Sequence, residues 1–304
     1  MTPRQMNILR SVATYYTFTR AQIQDVCGET NDRVVRKLLD QLCRMGLIKR
    51  TRMEVVNPGM GAPAPVYSPT RKGAEFLAAE VDAKLLHCCT QTPNWQNLYH
   101  WTQVAELHIR LDRAIERQTQ ASLGGWLGEW DIANPDEREP EKRYRLFTLL
   151  KEQPKRLVCN PDAGFVLRVG SYAKVYYLEL DRATSGIQQI ANSKTPGFAE
   201  LAKTKGHRKH FETNMDTFGV LSVSPTPGRR DLLRAAIKGK DGCELWKFCA
   251  WPDFTPERAI TEAIWFPCEG DASPLVKRGG AIPGSGAGSG HGSETGPART
   301  LGRV

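Results

Sequence analysis

Two runs of β-forming residues, Phe165-Val166-Leu167-Arg168-Val169 and Val175-Tyr176-Tyr177-Leu178, flank a polar turn at Gly170-Ser171 and constrain this chain more than any other stretch. Branched and aromatic side chains at that density favour extended backbone, and glycine with serine supplies the reversal, so the spacing predicts a β-hairpin. Acidic residues stand at its ends: Asp162 after Pro161, and Glu179 and Asp181 on either side of Leu180. Residues two apart on a strand point the same way, which puts Glu179 and Asp181 on one face, and the hairpin partner can bring Asp162 beside them. Three carboxylates so placed suit a hard cation, Mg2+ or Mn2+, which supplies a Lewis acid and an activated water for phosphodiester hydrolysis. Acids at strand ends and an aspartate after proline are also ordinary turn and surface chemistry. At this level both readings stand.

The chain has 304 residues, enough for two modest domains with real cores, and a net charge of +9. That excess favours a polyanionic partner, nucleic acid before an anionic membrane surface. No stretch approaches a membrane span, and Met1-Thr2-Pro3-Arg4-Gln5 leads into an amphipathic helix rather than an apolar signal core. Eight cysteines contain no C-x-x-C pair and read as reduced thiols, so a cytoplasmic protein is expected. His87-Cys88-Cys89 is set aside as a metal site, because adjacent cysteines do not readily chelate one ion.

In the first 82 residues, Met6, Leu9, Val12 and Ala13 recur at helical spacing after Pro3. Thr19 with Gln22 forms a capping box for a short second helix stopped by Gly28. Thr30 is expected to cap a third helix whose Val34, Val35, Leu38, Leu39 and Leu42 face inward, with Asn31, Arg33, Arg36 and Lys37 left for a ligand. A basic strand with Lys49, Arg50 and Arg52 runs into a Pro/Gly-rich loop over residues 57–65 and returns at Val66-Tyr67, before Thr70 caps a fourth helix. Three helices followed by a basic hairpin resemble a winged helix-turn-helix. That resemblance implies double-stranded DNA binding, with Asn31, Arg33, Arg36 and Lys37 entering the major groove and Arg50 and Arg52 holding phosphates.

Residues 83–97 read as a linker. A helix follows from 98 to about 117, with His108 on its apolar stripe as a core histidine, then a strand over 126–132 and the hairpin. After the hairpin, Thr184 is expected to cap a helix that breaks near Pro196, and a second helix over 198–211 carries a basic face with Lys205, Arg208 and Lys209. A strand over 218–223, a helix over 229–237 and a strand over 245–251 complete a mixed sheet with helices on its faces. After Pro274 the composition shifts towards Gly, Ser, Ala and Pro, and residues 269–304 read as a flexible, disordered tail.

The strand opened by Pro161-Asp162 and the next ended by Glu179-Leu180-Asp181 resemble the PD-(D/E)XK nuclease superfamily, with one departure: Asp181 stands where that motif has its lysine. Lys174, Lys194 or Lys203 can replace that lysine, or Asp181 can join Asp162 and Glu179 as a third metal ligand, with Gln188 or Gln189 orienting a water or phosphate. The amino-terminal pattern together with Pro161-Asp162-Ala163 and the run from Tyr177 to Thr184 resembles the replication-relaxation family of plasmids and integrative mobile elements, over residues 1–251. The expected architecture is therefore α/β. A winged helix-turn-helix (1–82) is joined by the linker to a mixed-sheet PD-(D/E)XK nuclease-like domain (98–268). The resemblance implies a double-stranded DNA-binding protein acting in replication or DNA processing. An active Mg2+- or Mn2+-dependent endonuclease using Asp162, Glu179, Asp181 and Gln188 is one alternative, and a non-catalytic transcriptional regulator is another. A homodimer and replication or mobilisation proteins are further partners compatible with this reading.

Overall fold

The computed structural model describes residues 1–54, 63–91 and 95–276. Its first helices start where side chains satisfy their orphan amides. Thr2 caps α1 (Pro3–Tyr15), and Thr19, at the end of the short strand β1 (Phe18–Thr19), caps α2 (Arg20–Cys27), each in a capping box with the glutamine three residues on. The third helix, α3 (Asp32–Arg44), is capped by Asn31 rather than by Thr30: the Asn31 carboxamide accepts from the amides of Arg33 and Val34. β2 (Ile48–Thr51) and β3 (Val66–Pro69) pair antiparallel, and β1 adds to the far side of β3. Most of the loop expected over residues 57–65 lies outside the described residues. Thr70 caps α4 (Arg71–Glu80), as its position before that helix predicts.

The second unit begins with α5 (Trp95–Glu116), and this helix serves two cores. Ala105 and Ile109 pack with Leu9, Val12, Phe18 and Leu39 of the amino-terminal unit, whereas Val104, Leu107 and Leu111 pack on the large sheet. Polar contacts follow the same seam. Tyr15 donates to Asp112 at 2.6 Å, Tyr16 donates to the Gln91 carbonyl at 2.9 Å, and Lys49 donates to the Thr90 carbonyl at 2.7 Å. Residues 83–91, expected as linker, are thus bonded to the first unit, and Cys89 is buried in the sheet core.

β4 (Ala121–Gly128) comes earlier than the strand expected over 126–132. Gly125, at φ +62°, lets the strand bulge between Gly124 and Leu127 and still pair antiparallel with its neighbour at both ends. After it come α6 (Pro140–Arg143) and a two-stranded ribbon, β5 (Thr148–Lys151) with β6 (Leu157–Cys159), which the sequence pattern does not announce. β7 (Ala163–Val169) and β8 (Tyr172–Leu180) form the expected hairpin, with Val166 opposite Val175 and Ala163 opposite Leu178.

The chain continues through α7 (Ile187–Lys203), α8 (His207–Phe211), β9 (Phe218–Ser224), α9 (Pro227–Ile237), β10 (Trp246–Ala250) and β11 (Phe266–Pro267). The sheet order is β11-β10-β9-β8-β7-β4, with β8, β9 and β10 parallel and the other pairings antiparallel: a mixed α/β sheet. α5 and the segment after residue 254 cover one face; α7 and α9 cover the other. Along β8, Tyr176, Leu178 and Leu180 point to the α5 side and Val175 and Tyr177 to the α7 side. Strand alternation therefore sends Glu179 and Asp181 towards α7 and α9. Residues 273–276, expected in the tail, are packed: Ser273 pairs with Trp265, Leu275 and Val276 donate to the Ile260 carbonyl, and both side chains are buried. The tail from residue 277 lies outside the described residues.

The expected break at Pro196 does not occur, because α7 runs through it. Proline removes one helical hydrogen bond, but Ala191, Thr195, Phe198 and Leu201 bury one side of the helix on both sides of that point. The start differs as well, since Gly186 rather than Thr184 holds the N-cap position. Gly197 lets α7 lie against β6, where an added Cβ would be 2.5 Å from the Val158 carbonyl oxygen. Gly197→Ala is expected to lower stability by about 1–3 kcal/mol through overpacking. Gly228→Ala, with nothing within 4 Å of its Cβ, should be near neutral when both are compared by urea unfolding.

Candidate functional site

The hairpin register sets two carboxylates side by side at one end of the sheet. Asp162 immediately precedes β7, and its Oδ2 accepts the Leu180 amide at 2.7 Å, which ties it across the hairpin to the end of β8. Glu179, one residue earlier on β8, is buried with it. The ammonium of Lys194, projecting from α7, closes the group. Its Nζ lies 2.9 and 3.1 Å from the two Glu179 oxygens, 3.8 Å from Asp162 Oδ1, and donates to the Asn160 carbonyl at 3.0 Å. Of the three lysines named for this role, Lys194 is the one that reaches the acids. Lys203 pairs with Asp241 at 2.6 Å, and Lys174 sits at the opposite end of β8 with its Nζ over the Tyr176 ring.

Two further residues complete the cluster, and the sequence reading gives neither a site role. His100, in the second turn of α5, places Nε2 3.3 Å from Asp162 Oδ1 and 3.9 Å from Glu129 Oε1. Glu129, just after β4, is held by the Trp101 indole N–H and by its own amide on the Asp162 carbonyl. The signal for His100 is its place four residues before Val104, on the buried stripe of α5, where a polar side chain needs a partner. For Glu129 the sequence holds no such signal, because its position depends on the bulge in β4.

Charge within this group is unevenly distributed. Burial works to raise the Asp162 carboxyl, but His100 and Lys194 outweigh it and hold the group down at about 2. Burial pushes the Glu179 carboxyl up to about 8 in spite of Lys194. For Lys194 the two acids overcome burial and keep the ammonium well above its usual range. Burial alone would depress His100, yet Asp162, with Glu129 and Glu179 behind it, lifts the imidazole above its ordinary value.

Asp181 shares the face of Glu179 but has a different partner. Its Oδ2 and Oδ1 accept from Arg229 at 2.7 and 3.0 Å, Ser224 donates to Oδ2 at 3.3 Å, and Arg229 also reaches the Ser185 carbonyl. A bidentate guanidinium of this kind fixes α9 to the end of β8. All three acids line one cavity of about 270 Å3, with Asn97, His100, Arg182 and Lys194 among the other walls. Gln188 and Gln189 are exposed on the first turn of α7 and do not line it. Among the described residues, no group of three or more His, Cys, Asp or Glu side chains is arranged to hold a metal ion. The oxygens of Asp162 and Glu179 are nonetheless hard donors suited to Mg2+, which keeps several waters and often takes only one or two protein carboxylates.

The candidate DNA-contacting residues lie on the amino-terminal unit. Arg33 and Lys37 are exposed on α3; Asn31 is exposed with its side chain engaged in the cap; Arg36 pairs with Asp32 at 2.7 Å. Arg50 is exposed on β2, 4.0 Å from Asp40, and Arg52 is exposed just beyond it. The basic face expected around α8 is largely internally paired, since Lys205 and Arg208 converge on Asp216 at 3.0 and 2.8 Å. Among the described residues, no helix is long and apolar enough to cross a membrane.

A family model described as replication-relaxation matches residues 9–216. No curated protein and no solved structure matches the chain.

Removing the Lys194 ammonium breaks a buried ion pair and leaves Glu179 without its cation, so Lys194→Met is expected to destabilise by about 3–5 kcal/mol. Adding Glu179→Gln should recover part of that loss in a double-mutant cycle. Asp162 has a depressed folded value, so the unfolded chain binds more protons and stability is lost as pH falls from about 4 towards 2. Asp162→Asn should flatten that limb of the stability profile, read by urea unfolding at each pH.

Proposed function

We propose, on the premise that the chain belongs to the replication-relaxation family, that it binds duplex DNA of a plasmid or integrative element and acts in its replication or processing. On this reading α1 to α4 with the β2–β3 hairpin work as a winged helix, α3 entering the major groove and Arg50 and Arg52 holding phosphates. The sheet works as a PD-(D/E)XK-like domain in which Asp162 and Glu179 are the two acids and Lys194, carried on α7, replaces the lysine that Asp181 displaces from the motif. The single observation carrying this assignment is the convergence of Asp162, Glu179 and the Lys194 ammonium at one cavity wall.

Asp162 and Glu179 are the residues that would hold Mg2+ or Mn2+, which supplies a Lewis acid and a water of lowered pKa. Lys194 would turn its ammonium to the phosphate or the attacking water, where a preorganised cation stabilises developing charge. His100, through its contact with Asp162, is a positioning residue for that carboxylate. Asp181 acts as a brace through Arg229 and not as a ligand.

The same ammonium supports a second reading. Lys194 neutralises the two acids without any ion, which suits a non-catalytic protein whose second domain recruits partners or forms a homodimer.

A nicking assay on supercoiled plasmid DNA with Mg2+ or Mn2+ separates the two. Nicked or linear product, reduced about 100-fold or more in Asp162→Ala and in Lys194→Met with duplex affinity unchanged, is the outcome expected for the nuclease. Intact DNA at concentrations where binding is measured would leave the recognition reading. For the winged helix, Arg33→Ala and Arg52→Ala are each expected to weaken duplex binding and to reduce the slope of log K against log salt by about 1 where a phosphate contact is lost.

A further inference from the structure

The loop end of the β2–β3 hairpin and the mouth of the Asp162–Glu179 cavity are connected through one side chain, Tyr99. Its hydroxyl donates to the Glu54 carbonyl at 3.0 Å, just past the end of β2, and the Arg182 guanidinium lies 5.7 Å from the centre of its ring. Beneath this contact Met53, Val66 and Leu98 are buried together, with Tyr99 packed against them, so the loop end of the hairpin is fastened to the first turns of α5. Those same turns supply Asn97 and His100 to the cavity wall, and Arg182 belongs to that wall as well.

We propose that the wing and the lip of this cavity form one continuous track for the backbone of a DNA duplex, joined at Tyr99 and Arg182. This rests on the DNA-binding reading above and adds to it the path of the substrate. Arg182 is half-buried against an aromatic face, and no ion pair joins it to a carboxylate among the described residues. A guanidinium stacked in this way is held for an anion that arrives from outside. Exposed Arg52 lies on the wing side of the join, and exposed Asn97, Thr184 and Ser185 lie on the cavity side. The acidic group on this path, Glu54, is exposed and contributes only its carbonyl to the join. Two contacts with a single phenol ring between them separate the loop end of the hairpin from Arg182, a span of no more than about four nucleotide steps at roughly 3.4 Å each. The phosphate that reaches the acids therefore belongs to the duplex segment the wing holds, within about half a helical turn of it.

The test uses the full chain with a photo-crosslinking amino acid at Glu54 or at Thr184, and a 40-base-pair duplex selected from a random pool by binding to the wild-type chain. Crosslinks from both positions to nucleotides within about six of one another along the duplex are expected. Arg182→Ala should abolish the Thr184 crosslink and lower the salt slope by about 1 while the Glu54 crosslink persists, and Arg182→Lys should restore part of it. Crosslinks from Glu54 alone, or from the two positions a full turn or more apart, would overturn the track and leave DNA binding standing. Selection that enriches no duplex and no retention of any duplex at low salt would overturn the DNA-binding reading, and the track with it.

Discussion

The pairing of one ammonium with two buried carboxylates decides how this domain is built. Asp162 and Glu179 are acids at the end of adjacent antiparallel strands, and ionising both in a buried site without a cation would be strongly unfavourable. Lys194 supplies the cation from α7, on the face of the sheet towards which Glu179 points, so the position of α7 is part of the site. That position depends on contacts well away from the acids. Gly197 lets the helix approach the Val158 carbonyl, Lys194 itself bonds the Asn160 carbonyl, and both of those groups lie on the short segment from β6 to the hairpin. Helix, ribbon and hairpin are therefore held in mutual register by the same few residues.

A second constraint is the use of α5 by both units. Its Ala105 and Ile109 belong to the amino-terminal core and its Val104 and Leu107 to the sheet core, all within a turn and a half of one helix. His108 lies between them, stacked on Trp126 at 3.7 Å, and burial depresses its imidazole to about 3, which keeps it neutral as a core residue. Tyr15 and Gln22 add polar contacts from the first two helices to Asp112 and Glu106 of α5. A helix packed on two cores transmits orientation between them, because its backbone hydrogen bonds resist bending within a turn or two. The loop end of the basic hairpin and the acidic cavity are held against the same end of that helix.

The hairpin, the capping box at Thr19 and the strands β9 and β10 are legible because each depends on residues close in sequence. The misplacements have equally local causes. Asn31 outcompetes Thr30 as a cap because its side chain reaches two amides at once. Pro196 signals a break that burial of the surrounding residues overrides, and Gly125 shifts β4 towards the amino terminus through a backbone conformation that periodicity does not register. The ribbon of β5 and β6 leaves no signature in the sequence because its strands are short and only partly buried, so they show no clean alternation.

By itself the sequence determined the hairpin, the shared face of Glu179 and Asp181, the basic surface of the first unit and the family to which the chain belongs. These follow from spacing, side-chain alternation and local hydrogen bonding, which act over a few residues. Only the tertiary structure decided which charges meet. It selected Lys194 over Lys174 and Lys203, gave Asp181 to Arg229, and brought His100 and Glu129 to Asp162. The physical reason is range: an ion pair depends on separation in space, and the partners here come from α5, the end of β4, α7 and α9, elements whose packing no window of sequence contains.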